Sequence, residues 1–265
     1  MYDFEYHRAA SLDDAAGKLK AADDGALVAG GMTLIPTLKL RLASPSDLVD
    51  ISSLAELGGI KAEGDAVTVG AACTHAAVAA SADVKAKIPA LAELAEHIGD
   101  AQVRNRGTLG GSIANNDPAA DYPAALLALG ATVRTDNREI AADDFFKGLF
   151  ETALDAGEII TQVAFPVPEK ASYRKFPNPA SRYALVGVFV AKGSSGVRVA
   201  VTGAGQDGVF RVAGMEEALA KNFSADAIKD VSVAADGLNA DIHAGADYRA
   251  HLIGVMARRA VAACT

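Results

Sequence analysis

Two short stretches hold the residues best able to do chemistry. In "AGGMTLIPTLKLR", Ala29 to Arg41, a short apolar run stops at Gly30-Gly31 and an apolar segment restarts at once. In "RNRGTLGGSIANNDPAADYP", Gly107, Gly110 and Gly111 are interspersed with Thr108 and Ser112. Glycine admits positive φ and lets another group approach the backbone closely. A strand, a glycine turn and a helix start leave N–H groups free to receive an anion. Thr33, Thr108 and Ser112 add hydroxyl donors. Neither bend is a G-x-G-x-x-G fingerprint or a Walker A loop, and the first bend alone reads more readily as a plain tight turn. Together they are either two unrelated turns or a pair that closes on one extended diphosphate, with backbone amides as the nest.

Little else has readable chemical spacing. Cys73 and Cys264 are far apart and read as an apolar filler and a tail thiol. Two cysteines cannot ligate an iron–sulfur cluster from this chain. Cys73-Thr74-His75 suggests a metal pair, but no second ligand pair follows. No His–carboxylate or Cys–His constellation is readable, so no side chain is assigned a catalytic role and no metal site is expected. Arg104 and Arg106 share a face if "QVRNR" is extended, where they would meet the diphosphate, a partner or solvent. The G-x-G of "VTGAGQDGVF" is best explained as a hairpin turn.

The elements that must position the bends alternate at first. "FEYHRA" reads as extended, and "SLDDAAGKLKAA" as a helix with Ser11 at its N-cap. "ALVAGG" reads as a strand, "TLIPTLKLRLA" as a short helix with Pro36 in its first turn, and "DLVDI" as a strand. In a second unit, "AVTVGAAC" is a strand, "THAAVAAS" a helix capped by Thr74, and "KIPALAELAEHI" a helix. "DYPAALLALG" is a helix with Asp121 as N-cap and Gly130 as stop, and "ATVRT", "REIAA" and "EIITQVAFPVP" are strands. After Pro166, Pro168, Pro177 and Pro179, antiparallel strands "YALVGVFVA" and "VRVAVTGA" and helices "GMEEALA" and "DYRAHLIGVMARRAVAA" follow. This places a boundary near residue 170, with domains 1–170 (lobes 1–58 and 59–170) and 171–265.

The composition sets outer limits. The chain has 265 residues, 51% hydrophobic and 22% charged, which suits a globular protein of about two domains. A net charge of −8 disfavours nucleic acid or an anionic membrane as partner. No window of about 18 uninterrupted apolar residues suggests a membrane span, and "MYDFEYHRAASLDD" lacks the features of a signal peptide, so a cytoplasmic location is expected.

"AGGMTLIPTLKLRLASPSDLVDI" and "IGDAQVRNRGTLGGSIANNDPAADYPAALLAL" resemble signature segments of the FAD-binding medium subunit of molybdenum hydroxylases, the carbon monoxide dehydrogenase and xanthine dehydrogenase family. The resemblance implies an α+β fold: a two-lobed α/β FAD-binding domain of the vanillyl-alcohol-oxidase (PCMH-like) type, then a small α+β C-terminal domain with an antiparallel sheet. It implies FAD contacts from Val28, Ala29, Gly30, Gly31, Met32, Thr33, Leu34 and Ile35, and from Gly107, Thr108, Leu109, Gly110, Gly111 and Ser112. Ile98, Asp121, Ile160, Lys175 and Tyr183 fall on further cofactor-contact positions. The plain alternatives are a helix cap for Asp121, core packing for Ile98, Ile160 and Tyr183, and a solvated charge for Lys175.

The implied function is electron transfer. Electrons would come from 2Fe–2S clusters on a small partner subunit, after hydroxylation at a molybdopterin cytosine dinucleotide or related cofactor on a large subunit. They would pass through FAD to an external acceptor, in a heterohexamer built as a dimer of heterotrimers. A flavin-free scaffold and a stand-alone flavoprotein oxidase are the alternatives. Two departures from the family pattern stand out. Met32 occupies a position that is usually polar, and Asn115-Asn116 replaces a more typical His-Ala pair.

Overall fold

A computed structural model describes residues 1–264. Strands β1 (Glu5–Arg8), β2 (Gly25–Val28) and β3 (Asp47–Asp50) form a parallel sheet in the order β1-β3-β2. Helices α1 (Leu12–Ala21) and α2 (Leu34–Lys39) are the crossovers, as the alternation predicts. Ser11 caps α1 by accepting from the Asp14 N–H at 3.1 Å, and Asp13 and Asp14 occupy its first turn. α2 is shorter than its apolar run suggests: it stops at Lys39, and Arg41 takes φ 59°.

The next segment builds an antiparallel sheet rather than a second parallel layer. Its strands are β4 (Ile60–Glu63), β5 (Ala66–Gly70), β6 (Thr132–Thr135) and β7 (Glu139–Ala141), completed after the small hairpin β8 (Phe146–Gly148) and β9 (Glu151–Thr152) by β10 (Ile160–Pro166). The order is β4-β5-β10-β6-β7, with all pairs antiparallel. Its helices come as one run between β5 and β6: α3 (His75–Ala80), α4 (Ala82–Lys87), α5 (Pro89–Glu96), α6 (Ala101–Arg106), α7 (Leu109–Asn115) and α8 (Tyr122–Leu129). The one-turn helix α9 (Ala142–Phe145) follows β7.

α8 explains how the layers meet. All eight of its residues are buried, so it has no solvent face. It packs on α7, on β10 and on the third sheet. Gly130, at φ 63°, ends it in the left-handed conformation that glycine tolerates best.

The third sheet is antiparallel, β11 (Lys170–Pro177), β12 (Ala184–Gly193), β13 (Gly196–Thr202) and β14 (Phe210–Arg211) in that order. α10 (Ala213–Lys221) and α11 (Ala246–Ala262) cover one face through Met215, Leu219, Ile253, Met256 and Ala260. The other face meets the second sheet's core through Tyr173, Phe189 and Ala200. Each buried aliphatic or aromatic side chain contributes roughly 1.5–3 kcal/mol.

Candidate functional site: a cleft where two glycine bends meet

The two bends touch. A Cβ on Gly30 would fall 1.9 Å from the Arg106 carbonyl oxygen and 3.1 Å from the Gly107 Cα. Glycine at position 30 is therefore what allows the end of β2 to meet the start of the second bend. Gly31 adds a turn at φ 71°. Beside this junction lies a cavity of about 550 Å³, lined by both bends.

The bends contribute differently. From Ala29 to Leu34, six consecutive backbone N–H groups have no hydrogen-bond partner among the described residues. Val28 to Leu34 all line the cavity, so these donors stand at its edge. In the second bend almost every amide is already paired. Gly107 N–H donates to Val103 O at 2.7 Å, Leu109 N–H to Cys73 O at 3.0 Å, and Gly110 N–H to Ala71 O at 2.9 Å. Thr108 caps α7, accepting from the Gly111 N–H at 3.2 Å on Oγ1 and from the Ser112 N–H at 3.0 Å on its carbonyl. Only the Thr108 N–H has no partner among the described residues.

The two bends therefore differ in the amides they leave free. α7 begins inside the second bend, and its first turn docks on β5, with Gly110 so close that a Cβ would lie 2.7 Å from the Ala71 Cβ. The second bend supplies shape. Gly111 is exposed, and a Cβ there would meet only Thr108 Oγ1, at 2.9 Å. The hydroxyl-bearing Ser112 is half-buried in the wall.

Ile98 and Ile160 also line the cavity, one half-buried before α6 and one buried at the bulged start of β10. Glu158, which sequence reasoning missed, stands beside them. Its carboxylate accepts from Arg138 at 2.8 and 2.9 Å, from Thr135 Oγ1 at 2.7 Å and from the Asp155 N–H at 2.8 Å. The Arg138 hydrogen bonds come first among the causes that hold its pKa down at about 2. His75, noticed in the sequence only for a metal, forms part of the wall. Among the described residues no three His, Cys, Asp or Glu groups are placed to hold a metal ion.

Five expected contacts lie outside the wall. The Ile35 side chain packs under Gly31, and Leu109 is fully buried in the core. Asp121 does not cap α8 with its side chain. Its buried carboxylate instead accepts from Tyr173 OH at 2.5 Å and from Lys175 Nζ at 2.9 and 3.0 Å. Burial raises the Asp121 pKa, against the pull of Lys175 and Tyr173. Lys175 is not a solvated charge: its side chain is 6% exposed and also donates to His97 O at 3.1 Å. Tyr183 is half-buried, its hydroxyl accepting from Asn178 Nδ2 at 3.3 Å and its ring edge-on to His243.

"QVRNR" is helical, not extended. Arg104 and Arg106 therefore diverge, and Arg104 donates to Ile98 O at 3.0 Å and Gly99 O at 2.9 Å, closing the turn before α6. Asn116 has a structural use. It ends α7 at φ 43°, and its Nδ2 donates to Gly148 O and Glu151 O, each at 2.8 Å, clamping the β8–β9 hairpin.

This is an α+β protein whose cleft combines apolar walls, a row of free amide donors and a volume within the usual ligand-site range. Residues 2–168 match the family model described as the FAD binding domain in molybdopterin dehydrogenase. The chain is 38% identical over 259 residues to the glyceraldehyde dehydrogenase medium chain of Sulfolobus acidocaldarius, covering 93% of this chain and 91% of that one. It is 34% identical over 274 residues to the carbon monoxide dehydrogenase medium chain of Hydrogenophaga pseudoflava, covering 97% and 96%. The solved quinoline 2-oxidoreductase from Pseudomonas putida 86 is similar with a TM-score of 0.88 and 30% identity, over 98% of this chain and 96% of that chain. The chain belongs to the FAD-binding medium subunits of molybdenum hydroxylases, which are oxidoreductases. The residues present fit FAD, because an anionic diphosphate needs donors that the fold has not already used, and the first bend holds six in a row.

Proposed function

We propose that this chain is the electron-transfer subunit of a molybdenum hydroxylase complex, taking electrons from 2Fe–2S clusters of a small subunit and passing them to an external acceptor. In this reading a large molybdopterin-binding subunit hydroxylates the substrate, the complex is a dimer of heterotrimers, and it is cytoplasmic. Residues 1–170 form the FAD-binding domain, in lobes 1–58 and 59–170, and residues 171–265 form the C-terminal domain. The unpartnered amides of Ala29 to Leu34 are the observation that carries it.

Those amides and the Thr108 N–H hold the diphosphate. Gly111 keeps the wall low, and Ile98 and Ile160 supply apolar surface. Lys175 acts from behind, holding Asp121 and His97, which adjoin the wall residues Ala120 and Ile98. Bound FAD would supply the chemistry that joins one-electron to two-electron transfer, with the protein supplying binding and orientation.

The test uses the full chain with its partner subunits. Gly111→Leu should abolish flavin absorbance while leaving the far-UV spectrum and the assembly unchanged. Chemical reduction of the clusters should bleach flavin in the parent complex. Retained FAD in the variant refutes the loop assignment, and a folded, colourless parent complex points to a scaffold. Turnover by the chain in isolation points to a stand-alone oxidase.

A further inference from the structure

His75 is the wall residue left without a function. It opens α3, is only 4% exposed, and lies where the second bend closes: a Cβ on Gly107 would fall 2.6 Å from His75 Nε2. Its Nδ1 is buried without a hydrogen-bond partner among the described residues. That atom is enclosed, so nothing in the cavity reaches it; Nε2, which also has no hydrogen-bond partner among the described residues, is the ring nitrogen left beside the second bend. The neighbouring polar group does not engage the ring. Tyr122, whose ring centre lies 5.4 Å away, has a buried hydroxyl that is itself without a partner among the described residues.

We infer that His75 is a cofactor-binding residue whose Nε2–H donates to the diphosphate of the dinucleotide, facing the amides of the first bend. This rests on the FAD reading above. A diphosphate accepts from several directions, and the first bend covers only one side. On the other side the paired amides of Gly107, Leu109, Gly110 and Ser112 are spent, leaving the Thr108 N–H and His75. The ring is suited to donate as a neutral group. Burial, then the charge of Arg104, push its pKa down to about 4, so it meets the anion without having to lose or gain a proton at neutral pH. A neutral imidazole carries one N–H and one lone pair, and with the proton on Nε2 the nitrogen beside the second bend is the donor.

The experiment compares His75→Leu and His75→Gln with the parent full chain, measuring FAD affinity by flavin fluorescence and unfolding of the FAD-free chain by calorimetry. His75→Leu should bind FAD ~10- to 100-fold more weakly, as for loss of a hydrogen bond to a charged group. The thermal midpoint of the FAD-free chain should stay level or rise, because an unpaired buried polar atom is gone. His75→Gln, which keeps a donor, should recover part of the affinity. Nitrogen NMR of isotope-labelled imidazole in the parent should show the His75 ring signals shift when FAD is added. FAD affinity in His75→Leu within twofold of the parent overturns the inference. Equal loss of FAD-free stability in both variants overturns it too, because the ring would then be a packing element. A parent chain that binds no FAD at all defeats the underlying reading instead.

Discussion

The sharpest test of the cleft is a single methyl group at Gly30. Gly30→Ala places a Cβ 1.9 Å from the Arg106 carbonyl oxygen and 2.7 Å from its carbonyl carbon. Carbon and oxygen in ordinary contact stay about 3.3 Å apart even in weak hydrogen bonds, so the two bends must separate by more than about 1 Å. The obstruction is backbone on both sides, and no side-chain rotation relieves it. Overpacking of this kind costs about 1–3 kcal/mol, which for a chain this long lowers the thermal midpoint by roughly 2–12 °C. The loss for FAD should be larger than that stability change suggests. Displacing a preorganised donor row by about 1 Å removes several charge-assisted hydrogen bonds together, so binding should weaken by about two orders of magnitude. Gly31→Ala is the control: it is strained at φ 71° and its Cβ meets Ile35 Cγ1 at 2.8 Å, yet it does not press on the second bend. Fluorescence titration with FAD and differential scanning calorimetry on both variants give the comparison. A Gly30→Ala chain with parental affinity would show that contact between the bends is not what shapes the site.

Other perturbations separate structure from cofactor binding. Lys175→Met should strand a buried carboxylate and cost about 3–5 kcal/mol by calorimetry, while adding Asp121→Asn should restore much of the loss. Glu158 has its pKa lowered from 4.5 to about 2, so its contribution is present above about pH 4.5 and is lost as pH falls towards 2. Glu158→Gln should therefore flatten the acid limb of the stability curve, read as the thermal midpoint between about pH 5 and about pH 2. Asn116→Ala should release the β8–β9 hairpin, since two hydrogen bonds go and a left-handed residue gains strain. Limited proteolysis should then cut near the exposed Leu149 and Phe150, with a stability loss of about 2–4 kcal/mol.

Local signals carried much of the fold. Ser11, Thr74 and Gly130 mark helix ends where capping chemistry is local, and β12 and β13 show as long apolar runs. β11 was not legible: prolines surround it, and Ala171, Ser172 and Tyr173 are buried in succession because one face meets α11 and the other the second lobe, so no alternation shows. α6 was missed because "AQVRNR" has no apolar stripe and none of its residues is buried. The two bends were visible as glycine clusters, but their division of labour was not. It depends on Gly110 docking against Ala71 and Gly30 against Arg106, contacts that no spacing rule encodes. The pairs Glu158–Arg138 and Asp121–Lys175 were hidden for the same reason: each joins residues from different elements, and a charge shows no partner in sequence.

The division of labour also sets what the side chain of Met32 can contribute. The first bend presents its free N–H groups from the main chain, so an anion bound there would be held by atoms that every residue type except proline carries. A side chain at position 32 matters only through its bulk at the cavity edge, and Met is flexible enough to fit an irregular wall. Met32→Ser should therefore leave FAD affinity within about fivefold of the parent, since a net hydrogen bond gained at an exposed edge is worth under about 1 kcal/mol. Met32→Pro removes one of the six donors and should weaken FAD binding by about tenfold or more. If serine strengthened binding a hundredfold while proline changed nothing, the anion would be held by side chains, and the backbone row from Ala29 to Leu34 would not be the cradle.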